Sequence, residues 1–197
     1  MALYGAWPIN QTATLLDGED HYLVALAVAS QDTAAFGELI RRHQSQVRNF
    51  LRRLAADPVE ADDLAQEAFL HAWDKLHTYS GRGSFVGWLL KVAYTTFLQT
   101  KRKAKRYAEV IDEAGHAAQL ESRSYAQDSD EVSDLDKLLA VLTQEERAIL
   151  VMSYACGLSH REIGEATGSP VGTVKSVIYR AKEKIRTNFD IKDHQHG

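Results

Sequence analysis

Apolar residues along this 197-residue chain recur at intervals of three and four, and only three prolines, Pro8, Pro58 and Pro170, interrupt the pattern. Such spacing puts the apolar side chains on one side of a 3.6-residue helix, and no segment shows the two-residue period of a strand. An all-α fold is expected. A first amphipathic stretch, about Glu19 to Ala29, groups Leu23, Leu26 and Ala27 and stops near Ser30-Gln31-Asp32. Thr33 starts a second, which runs through Phe36, Leu39, Ile40, Val47, Phe50, Leu51 and Leu54 and ends before Asp57-Pro58. A third spans about Glu60 to Leu76, and after the loop His77 to Ser84 a fourth runs from about Phe85 to Arg106.

Beyond Arg106 the large apolar residues give way to Asp, Glu, Ser, Gln and Ala, so residues 107–133 read as a flexible acidic linker. Helices resume near Asp134. Thr143-Gln144-Glu145-Glu146 and Ser159-His160-Arg161-Glu162 both have the capping-box pattern, in which a hydroxyl and a carboxylate satisfy orphan backbone donors reciprocally. Gly168 ends the second of these helices, Ser169 caps the next and Pro170 suits its first turn. Two short helices, a glycine turn and a third helix rich in Thr, Lys, Ser, Tyr and Arg make a helix-turn-helix pattern. The chain thus divides into an N-terminal extension (1–18), a helical domain (19–106), the linker (107–133), a second helical domain (134–190) and a polar tail (191–197).

Charge alters the picture only once it is mapped along the chain. The formal net charge of −4 argues against a nucleic-acid partner. Yet residues 32–106 carry 13 bases against 8 acids, while residues 107–134 carry one base against eight acids. A basic block is hidden by an acidic middle. One cysteine, Cys156, excludes a disulfide scaffold and suits a reducing, cytoplasmic setting. The first residues lack the basic start of a secretory signal, and no apolar run is long enough to span a membrane, so a soluble protein is expected.

Three faces carry candidate chemistry. On the third helix Leu64, Ala65, Ala68, Phe69, Ala72, Trp73 and Leu76 share one arc; Asp62, Asp63, Gln66, Glu67 and Asp74 share the other, with Leu70 in its middle. That arc reads either as a solvated acidic face with one stray leucine or as a docking face for a basic partner. The fourth helix leaves Lys91, Tyr94, Thr95, Lys101, Arg102, Lys103, Lys105 and Arg106 off its apolar side, and with the loop Thr78 to Gly83, including Tyr79 and Arg82, these suit phosphates and unstacked bases. On the last helix Val171, Val174, Ile178, Ala181 and Ile185 form the expected inward stripe. Gly172, Thr173, Lys175, Ser176, Tyr179 and Arg180 face the other way, as a major-groove reader would need.

The order of these elements resembles the extracytoplasmic-function (ECF) sigma factors of the sigma-70 family, over about residues 20–188. The resemblance is carried by Asp62-Asp63-Leu64-Ala65-Gln66-Glu67-Ala68-Phe69 with Trp73, and by Gly157-Leu158-Ser159 through Pro170-Val171-Gly172-Thr173-Val174-Lys175-Ser176. It implies a region 2 domain that holds RNA polymerase core through Asp62, Asp63, Gln66, Glu67, Leu70 and Asp74. The minus-ten promoter element would fall to Tyr79, Arg82, Lys91, Tyr94, Thr95, Lys101, Arg102 and Lys105. Region 4 would read the minus-thirty-five element through Gly172, Thr173, Lys175, Ser176, Tyr179 and Arg180. An anti-sigma factor is implied as a further partner. The chain departs from many relatives at Tyr94-Thr95, Gln99 and Val177, where an arginine is frequent; its loss at Val177 implies a missing DNA contact.

No metal spacing, cofactor motif or catalytic constellation is visible, so neither a metal, a cofactor nor enzymatic activity is expected. Cys156 reads as a small buried residue. The rival readings are a free-standing helix-turn-helix regulator, which would not use the acidic helix, and an interaction protein with protein partners only.

Overall fold

Helix boundaries in this chain are set by residues that satisfy the otherwise unpaired backbone groups at helix ends. The computed structural model describes residues 10–55, 57–113 and 134–189, and among them every regular element is helical. The first domain contains α1 (Asn10–Ser30), α2 (Thr33–Arg52), α3 (Pro58–Lys75), a 3-10 turn (Leu76–Thr78) and α4 (Phe85–Glu113). The second contains α5 (Asp134–Ala140), α6 (Gln144–Tyr154), α7 (His160–Thr167) and α8 (Val171–Phe189). Asp32 accepts from the backbone N–H groups of Ala34 and Ala35 at 2.8 and 3.1 Å. Asp57 accepts from Glu60 N–H at 2.8 Å, and Pro58 takes the first turn, where its missing N–H costs nothing. Both expected capping boxes are present, Thr143 with Glu146 and Ser159 with Glu162.

Leu39, Val47, Phe50 and Leu51 of α2 meet Ala61, Ala65, Ala68 and Ala72 of α3 and Phe85, Leu89, Leu90 and Phe97 of α4 in the first core. Val24 and Ala27 bring α1 onto it. In the second domain Ile149, Met152, Ile163, Val174, Ile178 and Ala181 fill the space between α6, α7 and α8. The turn between α7 and α8 is tight: Gly168 has φ +72°, and a side chain at Gly164 would place its Cβ 2.7 Å from the Ser169 carbonyl oxygen. Glu146 is buried and accepts from Lys184 Nζ at 2.7 and 2.8 Å, tying the start of α6 to α8.

Several expected boundaries move. α1 begins at Asn10, not near Glu19, and α2 ends at Arg52, after which Leu54 turns back into the core through its N–H bond to the Leu51 carbonyl at 2.9 Å. α4 continues to Glu113, into the segment read as linker, because residues 107–113 hold neither Pro nor Gly and Lys105 pairs with Glu109 one turn on at 3.8 Å. The rest of that linker (114–133), the start of the N-terminal extension (1–9) and the polar tail lie outside the described residues. On α8 the inward stripe is Val174, Val177, Ile178 and Ala181. Val171, expected inside, is 42% exposed; Val177, expected outside, is 4% exposed because it stands three residues after Val174 and four before Ala181. Position 177 therefore packs in the core of this chain and does not face outward, where the missing DNA contact was expected.

Burial opposes charge on Glu146, but the bonds from Lys184 and Thr143 outweigh it and hold the carboxyl below its ordinary value of 4.5. The resulting stabilisation is fully present above that ordinary value and is lost as pH falls through the depressed native one. Glu146→Ala is expected to cost about 1–2 kcal/mol, from a lost cap and a lost charged hydrogen bond. Urea titration at neutral pH should show a lower midpoint, and the gap from the native chain should close on acidification.

Candidate nucleic-acid and protein interfaces

Because α3 buries Ala61, Leu64, Ala65, Ala68 and Ala72, its period sends Asp63, Gln66, Leu70 and Asp74 outward, and all four are exposed. Leu70 stands 68% exposed among them. Asp62 and Glu67 flank this face half-buried. Arg48 of α2 donates to Asp62 at 2.7 Å and Arg52 lies 3.6 Å from it, so one edge of the acidic face is already neutralised. What remains is an apolar anchor ringed by carboxylates, a surface that suits a basic partner.

Next along the chain, the loop after the 3-10 turn is fastened by Tyr79, whose hydroxyl donates to the Gly83 carbonyl at 2.9 Å and receives the His21 Nε2–H at 2.9 Å. The His21 ring stacks on Tyr79 with centroids 5.6 Å apart, while Phe85 and Trp88 meet the tyrosine at 5.6 and 5.8 Å. Sequence reasoning missed His21, since nothing in the local pattern of α1 points to a loop 58 residues away. Arg82 at the loop tip and Lys91, Arg102 and Lys105 on α4 are exposed cations. Lys101 is committed elsewhere: it pairs with Glu60 at 2.8 Å and lies 5.7 Å from the Phe97 centroid. Thr95 is half-buried, its hydroxyl donating to the Lys91 carbonyl at 2.8 Å.

Tyr94 corrects the expectation. It is 5% exposed and packs against Phe50 and Phe97, because positions 90, 94 and 97 share the buried face of α4, and that burial pushes its phenol pKa up. No unstacked base can reach it there. The accessible aromatic is Trp88, which lines a groove of about 670 Å³ together with Tyr79, Arg82 and Lys91. The opposite wall of the groove belongs to α7, with Arg161, Glu162 and Glu165.

On α8 all six expected residues, Gly172, Thr173, Lys175, Ser176, Tyr179 and Arg180, are exposed, and the space beside Gly172 is open. A separate apolar depression of about 430 Å³ is lined by Leu135, Leu139, Leu150, Tyr154 and Ile185 between Arg53 and Lys182. Cys156 is half-buried, and burial pushes its thiol up to about 11, which suppresses the reactive thiolate. Among the described residues no helix is long and apolar enough to cross a membrane.

Comparison with known proteins gives two family matches: residues 39–107 match Sigma-70 region 2, and residues 133–185 match Sigma-70, region 4. The chain is 33% identical over 165 residues to ECF RNA polymerase sigma factor SigE of Mycolicibacterium smegmatis, an alignment covering 80% of this chain and 64% of that relative. It is 31% identical to the RNA polymerase sigma-H factor of Pseudomonas aeruginosa, covering 87% of this chain and 94% of the relative. Among solved structures, the sigma factor RpoE in complex with the anti-sigma factor NepR from Bartonella quintana matches with a TM-score of 0.65 at 24% identity, covering 80% of this chain and 98% of that one.

If His21 fixes the loop, His21→Ala should free the segment around Arg82. Limited trypsin digestion of the variant should cut after Arg82 several-fold faster than in the native chain, with little change at sites on α8.

Proposed function

The chain belongs to the extracytoplasmic-function (ECF) group of the sigma-70 family, and on that premise we propose which of its surfaces carry the work of a sigma factor. It is a transcription initiation factor, not an enzyme: it confers promoter choice on RNA polymerase core. The observation that carries the surface assignment is Leu70, exposed within the carboxylate face of α3. An unpaired leucine there has no use in a free-standing DNA binder, but it suits docking on a basic surface of the polymerase. Asp63, Gln66 and Asp74 surround it, and Asp62 and Glu67 complete the contact at the rim.

The loop with Tyr79 and Arg82, and Lys91 on α4, would engage the separated minus-ten strand, the cations at phosphates and Trp88 beneath a base. Thr95, Lys101, Arg102 and Lys105 would extend this track along α4, Lys101 doing so while it keeps its bond to Glu60. Region 4 would lay α8 in the minus-thirty-five major groove, with Lys175 and Arg180 available to phosphates or guanine edges and Gly172 admitting close approach. Each contact alone is modest. Polymerase holds both at a fixed spacing, so the second becomes effectively intramolecular and the pair gains selectivity. The domains that do this are proposed as 19–106 and 134–190, joined by the acidic linker. The site of action is the cytoplasm, where the polymerase works. An anti-sigma factor is proposed as the regulating partner, supported by the folds shared with a sigma factor solved in complex with one.

Purified core enzyme supplies the test. The native chain should drive run-off transcription from a subset of genomic promoter fragments, and Asp63→Arg with Leu70→Arg should weaken core binding at least tenfold, about 1.4 kcal/mol, without changing the thermal midpoint. Core binding unchanged by that pair would favour a free-standing helix-turn-helix regulator. Lys175→Ala should lower transcription and reduce the salt dependence of promoter binding by about one phosphate contact.

A further inference from the structure

We propose that the protein carries an internal clasp, in which Glu162 of the second domain binds Ser84 at the start of α4 and thereby closes the groove that promoter strand must enter. The identity of the groove rests on the reading above; the clasp itself rests on the geometry around one carboxylate. Glu162 faces two helix starts at once. Through Oε2 it accepts the Ser159 N–H at 2.9 Å and the Ser159 hydroxyl at 2.8 Å, which is the capping box of its own helix. Through Oε1 it accepts the Ser84 N–H at 3.2 Å and the Ser84 hydroxyl, 78 residues away.

A capping box needs only one of the two oxygens. The second is used across the domain boundary, at the N-terminus of a long helix, where an anion is favoured by unpaired N–H groups and by the helix dipole. Ser84 is held for this role, since its hydroxyl also accepts from Gly87 N–H at 3.2 Å. Gly87 lets α7 approach: a Cβ there would lie 3.3 Å from Glu162 Oε1 and 3.7 Å from Glu162 Cβ. Glycine is a poor helix former, and at this point in α4 its lack of a side chain is what the contact requires. Burial works against the charge of Glu162, yet the bonds from Ser84 and Ser159 outweigh it and hold the carboxyl below its ordinary value. A second polar contact, Arg53 with Asp136, joins the domains at another point.

The clasp decides what the groove can hold. With α7 in place, the groove walled by Arg82 and Lys91 on one side and by Arg161 and Glu165 on the other holds about 670 Å³, the size of a small-ligand site. Glu162 also sets a negative charge opposite the cations that phosphates would use, while Glu165 is paired with Arg161 at 3.1 Å. The outward face of α8 stays exposed, so the clasp blocks single-strand capture and leaves duplex reading open. α7 packs along the start of α4, and the Arg147 guanidinium adds a bond to the Arg53 carbonyl at 3.5 Å; the polar links among these can be exchanged for water when a partner separates the domains.

The Cβ separation of 3.7 Å between positions 87 and 162 is that of a disulfide. Gly87→Cys with Glu162→Cys should therefore cross-link under mild oxidation, while Cys156 stays out of exchange. With core polymerase and a promoter that the native chain transcribes, the oxidised variant should lose run-off transcription at least tenfold and recover on reduction. Failure to cross-link, or equal activity in both redox states, would overturn the clasp. As a second measure, Ser84→Ala in the otherwise native chain should raise its affinity for a labelled single-stranded oligonucleotide carrying that promoter's minus-ten segment several-fold; unchanged or weaker binding would count against the clasp. If the native chain itself drives no transcription with core, the sigma reading falls, whereas cross-linking still reports on the clasp.

Discussion

Ala61, Ala65, Ala68 and Ala72 put almost no bulk between α3 and its neighbours, and the rest of the first domain follows from that close approach. The alanines stand at steps of four, three and four, so they form one ridge, and all are fully buried. Larger residues from α2 and α4, Phe50, Leu51, Leu89 and Phe97 among them, fill the space on either side. Once that ridge is buried, the opposite face of α3 has no choice of direction. Asp63, Gln66, Leu70 and Asp74 are presented as a rigid set, and their spacing is that of the helix itself rather than of a loop that must be ordered on binding.

Periodicity alone reveals this much, because the amphipathic pattern of α3 is long and its two arcs differ sharply in chemistry. Leu70 was visible as the residue that broke the polar arc. The same reasoning failed at Tyr94, where an amphipathic side chain can serve either face, and packing against Phe50 and Phe97 decided for the interior. It failed at Val171 and Val177 because both stand one turn from Val174 and either can join the apolar stripe, and only the contacts of α8 with α6 and α7 fix the phase. The extension of α4 was hidden by composition: acidic, polar residues suggest a linker, but Tyr107 to Glu113 contain no breaker, and helix propensity carries on.

Contacts that link distant segments were not legible at all. His21 meets Tyr79 and Glu162 meets Ser84 through single polar atoms, and neither pairing leaves a trace in local pattern. Glu162 shows how a residue with a complete local explanation can hold a second role. Its place in the capping box accounts for its identity in the sequence, and only the fold reveals that its other oxygen reaches a different domain.

The length of α4 has a mechanical consequence. At 1.5 Å per residue, its 29 residues make a rod about 43 Å long. Its first turn is anchored beside the loop that Tyr79 fastens, while Tyr107 and Val110 near its far end are exposed and so stand clear of the bundle. A rotation of the first domain by about 10° about the start of α4 would therefore sweep that end through about 8 Å. Whatever reorients this domain also carries that end of α4, the point from which the chain continues toward the second domain, so a small turn at the bundle is magnified by a lever arm.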